Sequence, residues 1–398
     1  MNDSEPLIVG ALRTPVGKRG GRLHKWHPVD LLGETLHQLV ERSGVDPTDL
    51  DDVIVGCVLQ WEQQHGNVGR HAVLAAGLPE TVPAVTVDRQ CGSGQQAVSF
   101  AVHGVKAGAY KLVIGAGVES MSHAPLPPSF KPGAQLGPQY SPRELARYKD
   151  NPLLSQGVSS ELMNQRFGLT REALDAFSVR SHQRATEAGR AGHFHNQLVR
   201  LVEDPADPDS PVVTADEGVR ADPNPEKMAT LKSVFTADGA TTAANSSQIS
   251  DGAAALLIAS RAYAEQHGLK PRARFVSTAV AAADPVIQFT AVLDATRKAL
   301  DEAGLSVGDI DLFEVNEAFA GVPLMFQREF GIPDDRLNVN GGSVAIGHPL
   351  GSTGARMLTD LLCELERRGG RYGLQTICEA SGTANTTIIE RLNGLAPL

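Results

Sequence analysis

The stretch VPAVTVDRQCGSGQQA, Val82–Ala97, decides the fold class because it joins two kinds of secondary structure at one corner. Val82–Val87 is apolar and rich in β-branched residues, which predicts a buried strand. After Cys91 the chain passes through small residues into an Ala/Val-rich helical pattern that reaches about Ala109. A buried strand that runs directly into a helix is typical of α/β proteins, whose sheets are covered by helices.

The flanking sequence repeats this alternation of strand and helix. We predict the order β-α-β-α-β-α-β for the N-terminal part of the chain. The predicted strands are Leu7–Gly10, Asp52–Val58, Val82–Val87 and Leu112–Gly117, and the helices besides the one after Cys91 are Val29–Ser43 and Asn67–Ala76. This order indicates a mixed or parallel sheet with helices on both faces.

A second region with the same rhythm begins near Phe275. Its predicted helices are Ala291–Ala303, Glu317–Phe330 and Gly351–Arg368, and its predicted strands are Ile310–Val315, Leu337–Asn340, Tyr372–Cys378 and Thr386–Leu392. In both regions a strand leads through a helix and a Gly-x-Pro turn to a second strand and a glycine-rich corner, at 91–94 and 347–354. We therefore expect two copies of one α/β unit whose corners face a shared ligand crevice.

Between the two regions the sequence loses its regular pattern. Residues 123–152 and 203–225 are irregular and rich in proline, whereas Thr170–Gly189 predicts one strong helix with Thr170 as its N-cap. Irregular segments of this length inside an ordered chain are typically functional. We interpret this part of the chain as an insertion that lies over a ligand site.

Composition limits the classes of function. The chain has 398 residues, 41% hydrophobic and 21% charged, which predicts two or three domain-sized units and excludes global disorder. A net charge of −10 argues against nucleic acid or an anionic membrane as the main partner. Four scattered cysteines, no signal peptide and no apolar run longer than Ala253–Ala259 lead us to expect a reduced, cytoplasmic setting.

Cys91 is the strongest candidate for chemistry. It opens a helix whose first residues are Gly, Ser and Gly, so we expect unpaired backbone N–H groups and the helix dipole to lower the pKa of its thiol. The same N–H groups could stabilise an oxyanion. A lone cysteine is more often a buried structural residue, and that interpretation fits Cys57 and Cys363. At Cys91 we expect the neighbouring glycines to serve the reaction, since the sequence shows no packing function for them.

Three further residues at the ends of strands complete the candidate set. His348 lies in the glycine-rich corner that matches the Cys91 corner, where a base for the thiol would stand. Cys378 ends a predicted strand, and a proton-exchanging thiol and a cysteine without a role are equally compatible with its position. Asn316 follows the strand Ile310–Val315. An N-cap of the next helix is sufficient to explain an asparagine at this position, and the alternative is that its amide holds a water at a reacting carbonyl.

Taken in chain order, these motifs resemble the thiolase family of the acetyl-CoA acyltransferase kind. The resemblance covers nearly the whole chain, and its motifs are RTPVGK at 13–18, GVESMS at 117–122, ANSS at 244–247, SDGAA at 250–254, NEAF at 316–319, NVNGG at 338–342, GHP at 347–349 and Cys378. It implies an α/β thiolase fold of two duplicated β-α-β-α-β-α-β-β units in five α-β-α-β-α layers with a loop-domain insertion. It also implies an N-terminal domain at 1–122 with a return segment at 235–268, an insertion covering coenzyme A at 123–234, and a C-terminal domain at 269–398.

The resemblance implies acyl transfer between thiols, with coenzyme A as substrate and no bound cofactor or metal. Cys91 matches the nucleophile that takes the acyl group, His348 the base that activates it, and Cys378 the acid/base for the α-proton of the acetyl unit. Asn316 matches the residue that holds a water at the thioester oxygen, together with His348. The backbone N–H groups of Cys91 and Ala380 match a second oxyanion site.

Five positions match contacts that the family makes with coenzyme A. Arg220 and Ser247 match residues at the nucleotide and pantetheine ends, and Met228, Phe235 and Phe319 match apolar contacts with the pantetheine. A solvated arginine is the alternative for Arg220. The resemblance also implies a homodimer or homotetramer.

The sequence departs from the family pattern at three places. The family has a run of glycines after Cys378, whereas residues 379–381 here are Glu-Ala-Ser, and Ser381 bears on the geometry of the second oxyanion site. Ser155–Val158 replaces a motif whose methionine lines the acyl pocket of short-chain acetoacetyl-CoA enzymes, which predicts a differently shaped, wider acyl site. The string at 88–96 resembles degradative actinobacterial thiolases, some of which act on branched or steroid side chains.

These observations predict a thiolase of fatty-acid β-oxidation that cleaves 3-oxoacyl-CoA with CoA, a reaction reversible as a Claisen condensation. The alternatives are a short-chain biosynthetic acetoacetyl-CoA thiolase and a thiolase-like protein that binds acyl-CoA or lipid without catalysis. A decarboxylating ketosynthase shares the duplicated fold but lacks a second cysteine equivalent to Cys378. We expect neither a nucleic-acid nor a membrane partner.

Overall fold

A computed structural model of the chain describes residues 3–126 and 140–392. Within these residues the strands are β1 (Pro6–Arg13), β2 (Gly17–Lys18), β3 (Asp52–Gly56), β4 (Ala84–Val87), β5 (Leu112–Ser120), β6 (Leu201–Val202), β7 (Val212–Val213), β8 (Ser250–Ser260), β9 (Ala273–Ala282), β10 (Leu312–Val315), β11 (Tyr372–Glu379) and β12 (Thr383–Arg391). The helices are α1 (Pro28–Ser43), α2 (Val68–Ala75), α3 (Ser93–Lys106), α4 (Pro142–Arg147), α5 (Gln156–Arg166), α6 (Arg171–Arg190), α7 (Pro225–Ala229), α8 (Arg261–Gln266), α9 (Ala291–Ala303), α10 (Gly321–Phe330) and α11 (Leu350–Arg368).

The large sheet has two halves built on the same plan. Its strand order is β10-β11-β12-β9-β1-β8-β5-β3-β4. β3 is parallel to β5 and β5 antiparallel to β8, just as β10 is parallel to β11 and β11 antiparallel to β12. β1 and β9 join the halves through two residue pairs, Leu7 with Arg274 and Ile8 with Ala273. The duplication predicted from the sequence is confirmed.

Helices cover both faces of each half-sheet, which produces five layers. α1 and α2 pack on the outer face of the first half, and α9 and α10 on the outer face of the second. α3 and α11 lie between the halves, in a core to which strands of both contribute. Neighbouring strand residues divide between layers: Ile388 belongs to an outer core and Ile389 to the central one, since successive side chains point to opposite faces. The predicted α-β-α-β-α order is confirmed.

The two central helices approach each other backbone to backbone near their N-terminal ends. A Cβ on Gly94 would lie 2.6 Å from the carbonyl oxygen of Gly351, closer than two such atoms can approach. The glycines in these corners therefore have a packing function, and our expectation that those beside Cys91 have none is wrong. Their absence of side chains lets the Cys91 corner and the His348 corner meet.

The predicted strand Leu337–Asn340 does not form. One bridge pair joins Leu337 to Phe313, and the chain then turns away from the sheet. The cause is Asn338, whose backbone has a φ of 44° and whose side chain accepts from the N–H of Val315 (2.8 Å) and donates to its carbonyl (2.9 Å). This side-chain amide takes the place of a strand partner, which sequence periodicity cannot show.

β8 and α5 are among the elements that the sequence pattern did not predict. β8 is buried along its whole length in the middle of the sheet, and its apolar core is the run tested above as a membrane segment. Between β5 and β8 the described residues form α4 to α7 and the small sheet of β6 and β7. The predicted division at 122, 234 and 268 stays a prediction. No described helix has the length and apolarity needed to span a bilayer.

Candidate active site

Residues from both halves and from the segment between them line one cavity of about 210 Å³. Cys91 lies between the end of β4 and the start of α3, and His348 lies just before α11. Five predicted site residues line this cavity, namely Cys91, Phe235, Ser247, Phe319 and His348. The other lining residues are Val58, Leu59, Gln90, Met121, Leu126, Ser155, Gln156, Gly157, Ser246, Gln248, Ile249, Ala318 and Leu350.

A second cavity, of about 530 Å³, contains two more of the predicted residues, Arg220 and Met228. Gln248 lines both cavities and thereby marks the point where they adjoin. The two N–H bonds of its Nε2 are shared among three carbonyl oxygens at 2.8–3.0 Å, those of Gly218, Val344 and Ala345. Gln248 therefore ties the Arg220 segment to the loop that precedes His348. The sequence signal for it was its place directly after Ser247.

The thiol of Cys91 is buried, with 6% of the residue exposed. Burial, helped by the nearby carboxyl of Glu379, raises the pKa of this thiol to about 12. The expectation of a lowered pKa is therefore wrong, because Cys91 precedes the helix N-cap at Gly92 and loss of solvation outweighs the dipole. At neutral pH the sulfur carries its proton.

The imidazole of His348 has its lone pair on Nε2. Its Nδ1 lies 2.8 Å from Oγ1 of Thr353, and that hydroxyl gives its one proton to the carbonyl of Pro349 (2.8 Å). Nδ1 must therefore be the donor, which leaves Nε2 unprotonated. Nε2 is buried and has no hydrogen-bond partner in the described part of the chain. Burial, and after it the Arg356 guanidinium, lower the pKa of His348 to about 3, so the ring is neutral at pH 7.

Cys378 lies at the end of β11 and is 1% exposed. It does not line either cavity described above. Burial, followed by the influence of Cys91 and Glu379, raises the pKa of its thiol well above the ordinary value. Ile377, directly before Cys378, belongs to one buried cluster with Cys91, and the carboxyl of Glu379, directly after it, lies against Gly92. The two cysteines therefore share one neighbourhood.

Asn316 lies in a buried loop, because the helix predicted at Glu317–Phe330 begins only at Gly321. The N-cap interpretation is therefore wrong. Its Oδ1 accepts a hydrogen bond from Oγ of Ser343 (2.6 Å). Its Nδ2 is buried and, among residues 3–126 and 140–392, has no partner. A buried amide with unused donors is costly unless a ligand oxygen occupies them.

Glu379 is a titratable group that the sequence analysis treated only as a departure from a glycine run. Its carboxyl lies against Gly92, where a Cβ would clash with Oε1, and its Oε2 accepts from the hydroxyl of Thr383 (2.6 Å). Burial raises the pKa of Glu379 to about 8, against the opposing effect of the Thr383 hydrogen bond. The sequence signal that could have identified Glu379 as a site residue is its place directly after Cys378, a candidate catalytic cysteine.

Ala380 and Ser381 form a tight turn between β11 and β12. Ser381 has φ 62° and ψ 23°, a left-handed conformation that glycine adopts more readily. Its N–H donates to Oε1 of Gln288 (3.1 Å), which holds the serine in this conformation. The turn therefore keeps the backbone path that a glycine run permits. The role of the Ala380 N–H stays a prediction.

Aromatic packing shapes the cavity wall beside Ser247. The ring of Phe319 packs edge-to-face on Phe235 and Phe289, with centroids 5.9 and 5.5 Å apart. The N–H of Ser247 donates to the carbonyl of Ala318 (3.0 Å), which joins the start of β8 to the loop after β10. No group of His, Cys, Asp and Glu side chains in the described residues is arranged to hold a metal ion.

The chain matches known proteins along nearly its whole length. Residues 7–262 match the family model "Thiolase, N-terminal domain" and residues 269–391 match "Thiolase, C-terminal domain". A steroid 3-ketoacyl-CoA thiolase of Mycobacterium tuberculosis is 47% identical, covering 98% of this chain and 95% of that protein. A 3-ketoacyl-CoA thiolase of Bacillus subtilis is 38% identical, covering 97% and 99%.

A solved structure has the same fold. The crystal structure of the Bacillus anthracis acetyl-CoA acetyltransferase superposes with a TM-score of 0.87 at 36% sequence identity, covering 98% of this chain and 99% of that one. Both matched domains, the relatives and the solved structure agree with the duplicated five-layer architecture described above. This protein is therefore an acyltransferase enzyme that belongs to the thiolase family.

Proposed function

We propose that this protein is a degradative thiolase that cleaves 3-oxoacyl-CoA with CoA, and that Cys91 carries the acyl group between the two steps. The observation that supports this most is that Cys91 and His348 line one cavity, while the residues on either side of Cys378 pack beside Cys91 and Gly92. The relatives named 3-ketoacyl-CoA thiolase support the degradative direction. A protein that only binds acyl-CoA has no need of two buried thiols and a neutral imidazole at one site.

In the first step, the Cys91 sulfur attacks the 3-oxo carbon while Nε2 of His348 takes the thiol proton. Because both groups are neutral beforehand, proton transfer accompanies the attack. The bond between C2 and C3 breaks, and its electron pair forms the enolate of acetyl-CoA. Nε2–H of His348 and a water held by Asn316 stabilise the enolate oxygen, and the Cys378 thiol protonates C2. The shortened acyl group remains on Cys91 as a thioester.

In the second step, the thiol of a new CoA attacks the thioester on Cys91. The thiolate of Cys378 takes the proton of CoA, and the N–H groups of Cys91 and Ala380 hold the oxyanion. When the tetrahedral intermediate collapses, the sulfur of Cys91 leaves and recovers its proton from His348. The shortened acyl-CoA is released, and all three groups return to their starting protonation.

We assign the two adjoining cavities to coenzyme A. Arg220 and Lys227 outweigh the one carboxylate of the larger cavity, Asp222, and leave it a net positive charge that suits the phosphates of the nucleotide. Burial and the neighbouring Arg220 lower the pKa of His182 to about 4, so this histidine adds no charge at pH 7. The pantetheine arm would pass Gln248 to reach Cys91.

The free state of all four cysteines supports a reducing, cytoplasmic setting.

We expect thiolysis to favour acyl chains longer than acetoacetyl. Val58, Leu59 and Met121 give the cavity apolar walls, and Gln156 stands in the stretch where short-chain enzymes carry a methionine. Each buried methylene contributes about 0.8 kcal/mol, so four extra methylenes should raise kcat/KM at least about tenfold. The measurement is the thiolysis rate across short, medium, long and steroid-derived 3-oxoacyl-CoA substrates. A marked preference for acetoacetyl-CoA would support the biosynthetic alternative instead.

We also propose that two copies associate along β4. β4 is the outermost strand of the first half-sheet, and Val85 on it is 42% exposed. An apolar edge strand is a template for pairing with another chain. Val85→Lys is expected to reduce the mass measured by light scattering to that of the monomer, whereas Leu145→Lys, at an equally exposed position in α4, should not. A monomeric wild-type protein would contradict this proposal.

A further inference from the structure

A chain of buried polar side chains leads from the amide of Asn316 into α11. Oγ of Ser343 donates to Oδ1 of Asn316 (2.6 Å), and Nη2 of Arg356 donates to Oγ of Ser343 (3.3 Å). Nη1 of Arg356 donates to Oδ2 of Asp360 (2.7 Å). All four residues are buried, so water does not compete for these hydrogen bonds.

The direction of these hydrogen bonds follows from the chemistry of arginine. A guanidinium can only donate, so Ser343 must accept from Arg356 and has its single proton left for Asn316. The atom of Asn316 that faces Ser343 must then be the carbonyl oxygen. The amide nitrogen is thereby turned to the opposite side, where it has no partner among the described residues. Among residues 3–126 and 140–392, the Ser343 hydroxyl is the one hydrogen-bond partner of the Asn316 side chain.

The position of Arg356 is fixed by its ion pair with Asp360 and by the residues that bond to Asp360. Oδ1 of Asp360 accepts from Nε of Arg13 (2.8 Å) and from Nε2 of Gln197 (2.9 Å). Arg13 also pairs with Asp216 (2.7 Å), four residues before Arg220. Removing one member of a buried ion pair leaves an uncompensated charge, so this cluster keeps the guanidinium in one place. The charge of the Arg356 guanidinium also contributes, after burial, to the lowered pKa of His348.

We propose that Ser343, supported by Arg356, is a positioning residue that orients the Asn316 amide so that Nδ2 faces the substrate thioester oxygen and holds the water bound there. This role rests on the proposed thiolase function and adds to it a group that touches neither CoA nor the reacting atoms. In the opposite orientation, the amide oxygen would face the developing negative charge. Removal of one oxyanion donor costs about 10²–10³ in kcat, which is the limit for a fully misoriented Asn316.

The test compares Ser343→Ala, Ser343→Thr, Asn316→Ala and the double variant Ser343→Ala/Asn316→Ala in steady-state thiolysis. We expect Ser343→Ala to lower kcat at least about tenfold, and by no more than the 10²–10³ of a lost oxyanion donor, and to leave KM for CoA unchanged. Ser343→Thr keeps the hydroxyl and should restore most of the rate. In the Asn316→Ala background, loss of Ser343 should have no further effect, because the two residues act as one unit. Ser178→Ala is the matched control, since in the described part of the chain the hydroxyl of this buried serine bonds only within its own helix, to the carbonyl of Leu174.

Three outcomes would overturn the proposal: an unchanged kcat in Ser343→Ala, effects of the two alanine variants that multiply, or no recovery in Ser343→Thr. If Ser343→Ala does not fold, Ser343→Cys provides the same comparison, because its thiol has similar volume and is a much weaker donor. A wild-type protein that forms no thioester on Cys91 would refute the proposed function. If the wild type is active and Ser343→Ala has the same kcat, only the positioning role of Ser343 is refuted.

Discussion

Replacing Cys91 with alanine is expected to lower the rates of thiolysis and condensation by at least about 10⁴-fold, because both directions pass through an acyl group on this sulfur. His348 and Cys378 remain in the variant, but neither can carry the acyl group in its place. Mass spectrometry of the intact protein after incubation with acetyl-CoA measures the intermediate directly. The wild type should gain one acetyl group, located on the peptide that contains Cys91.

Cys363→Ala provides the matched control for this experiment. Cys363 is a free cysteine on α11 whose sulfur accepts from Nη2 of Arg272 (3.2 Å), and it lines neither cavity. Its loss should leave both the acetyl adduct and the turnover unchanged. An acetyl adduct that persists in Cys91→Ala, or turnover comparable with the wild type, would remove the basis of the proposed function.

Replacing Cys378 with serine is expected to separate the two halves of the reaction. Acetyl transfer from acetyl-CoA to Cys91 needs no proton at C2. In this half Cys378 only protonates the departing CoA thiolate, which is a good leaving group, so the transfer should remain within about tenfold of the wild type. Cleavage and formation of the carbon–carbon bond should fall by about 10³-fold, because a serine hydroxyl is a far weaker acid than a thiol and general acid–base catalysis contributes 10²–10⁴. Exchange of the acetyl-CoA methyl protons with D₂O, followed by NMR, reports the second half alone.

The assay for the first half is exchange of labelled CoA into acetyl-CoA, which requires only reversible acylation of Cys91. Cys363→Ser should behave as the wild type in both assays. Cys378→Ser that loses CoA exchange as strongly as it loses proton exchange would show that Cys378 supports the position or reactivity of Cys91. In that case Cys378 would not be the acid/base of the carbon–carbon step.

Much of the architecture was predictable because it depends on local patterns. The strand before Cys91, the helix after it and the repeated corner near His348 all follow from apolar periodicity and glycine placement. The prediction that this strand is buried is wrong, because β4 lies at the edge of the sheet and Val85 is 42% exposed. Elements that depend on distant partners were not predictable. β8 is a central strand that is buried on both faces, so its sequence shows no alternation of apolar and polar residues. At Asn338, side-chain hydrogen bonds to Val315 take the place of the predicted strand.

The same division applies to the site. Motif order alone identified Cys91, His348, Cys378 and Asn316 as candidates, because the reacting atoms belong to those residue types. It misjudged the pKa of Cys91, since the helix dipole is visible in sequence whereas burial beside Glu379 is not. The partners Thr353 and Ser343 stand near their motifs, but only coordinates show which atom each hydroxyl contacts.

The sequence by itself determined the α/β class, the duplication and the chemical groups available for acyl transfer, because these depend on residue type and on spacing along the chain. The tertiary structure decided the neutral state of Cys91 and His348, the free lone pair on Nε2 and the orientation of the Asn316 amide. Each of these depends on desolvation or on a hydrogen bond whose direction is set by a donor-only or single-proton partner. Such partners are brought together by close packing of α3 against α11, at a corner where glycine leaves room for two backbones.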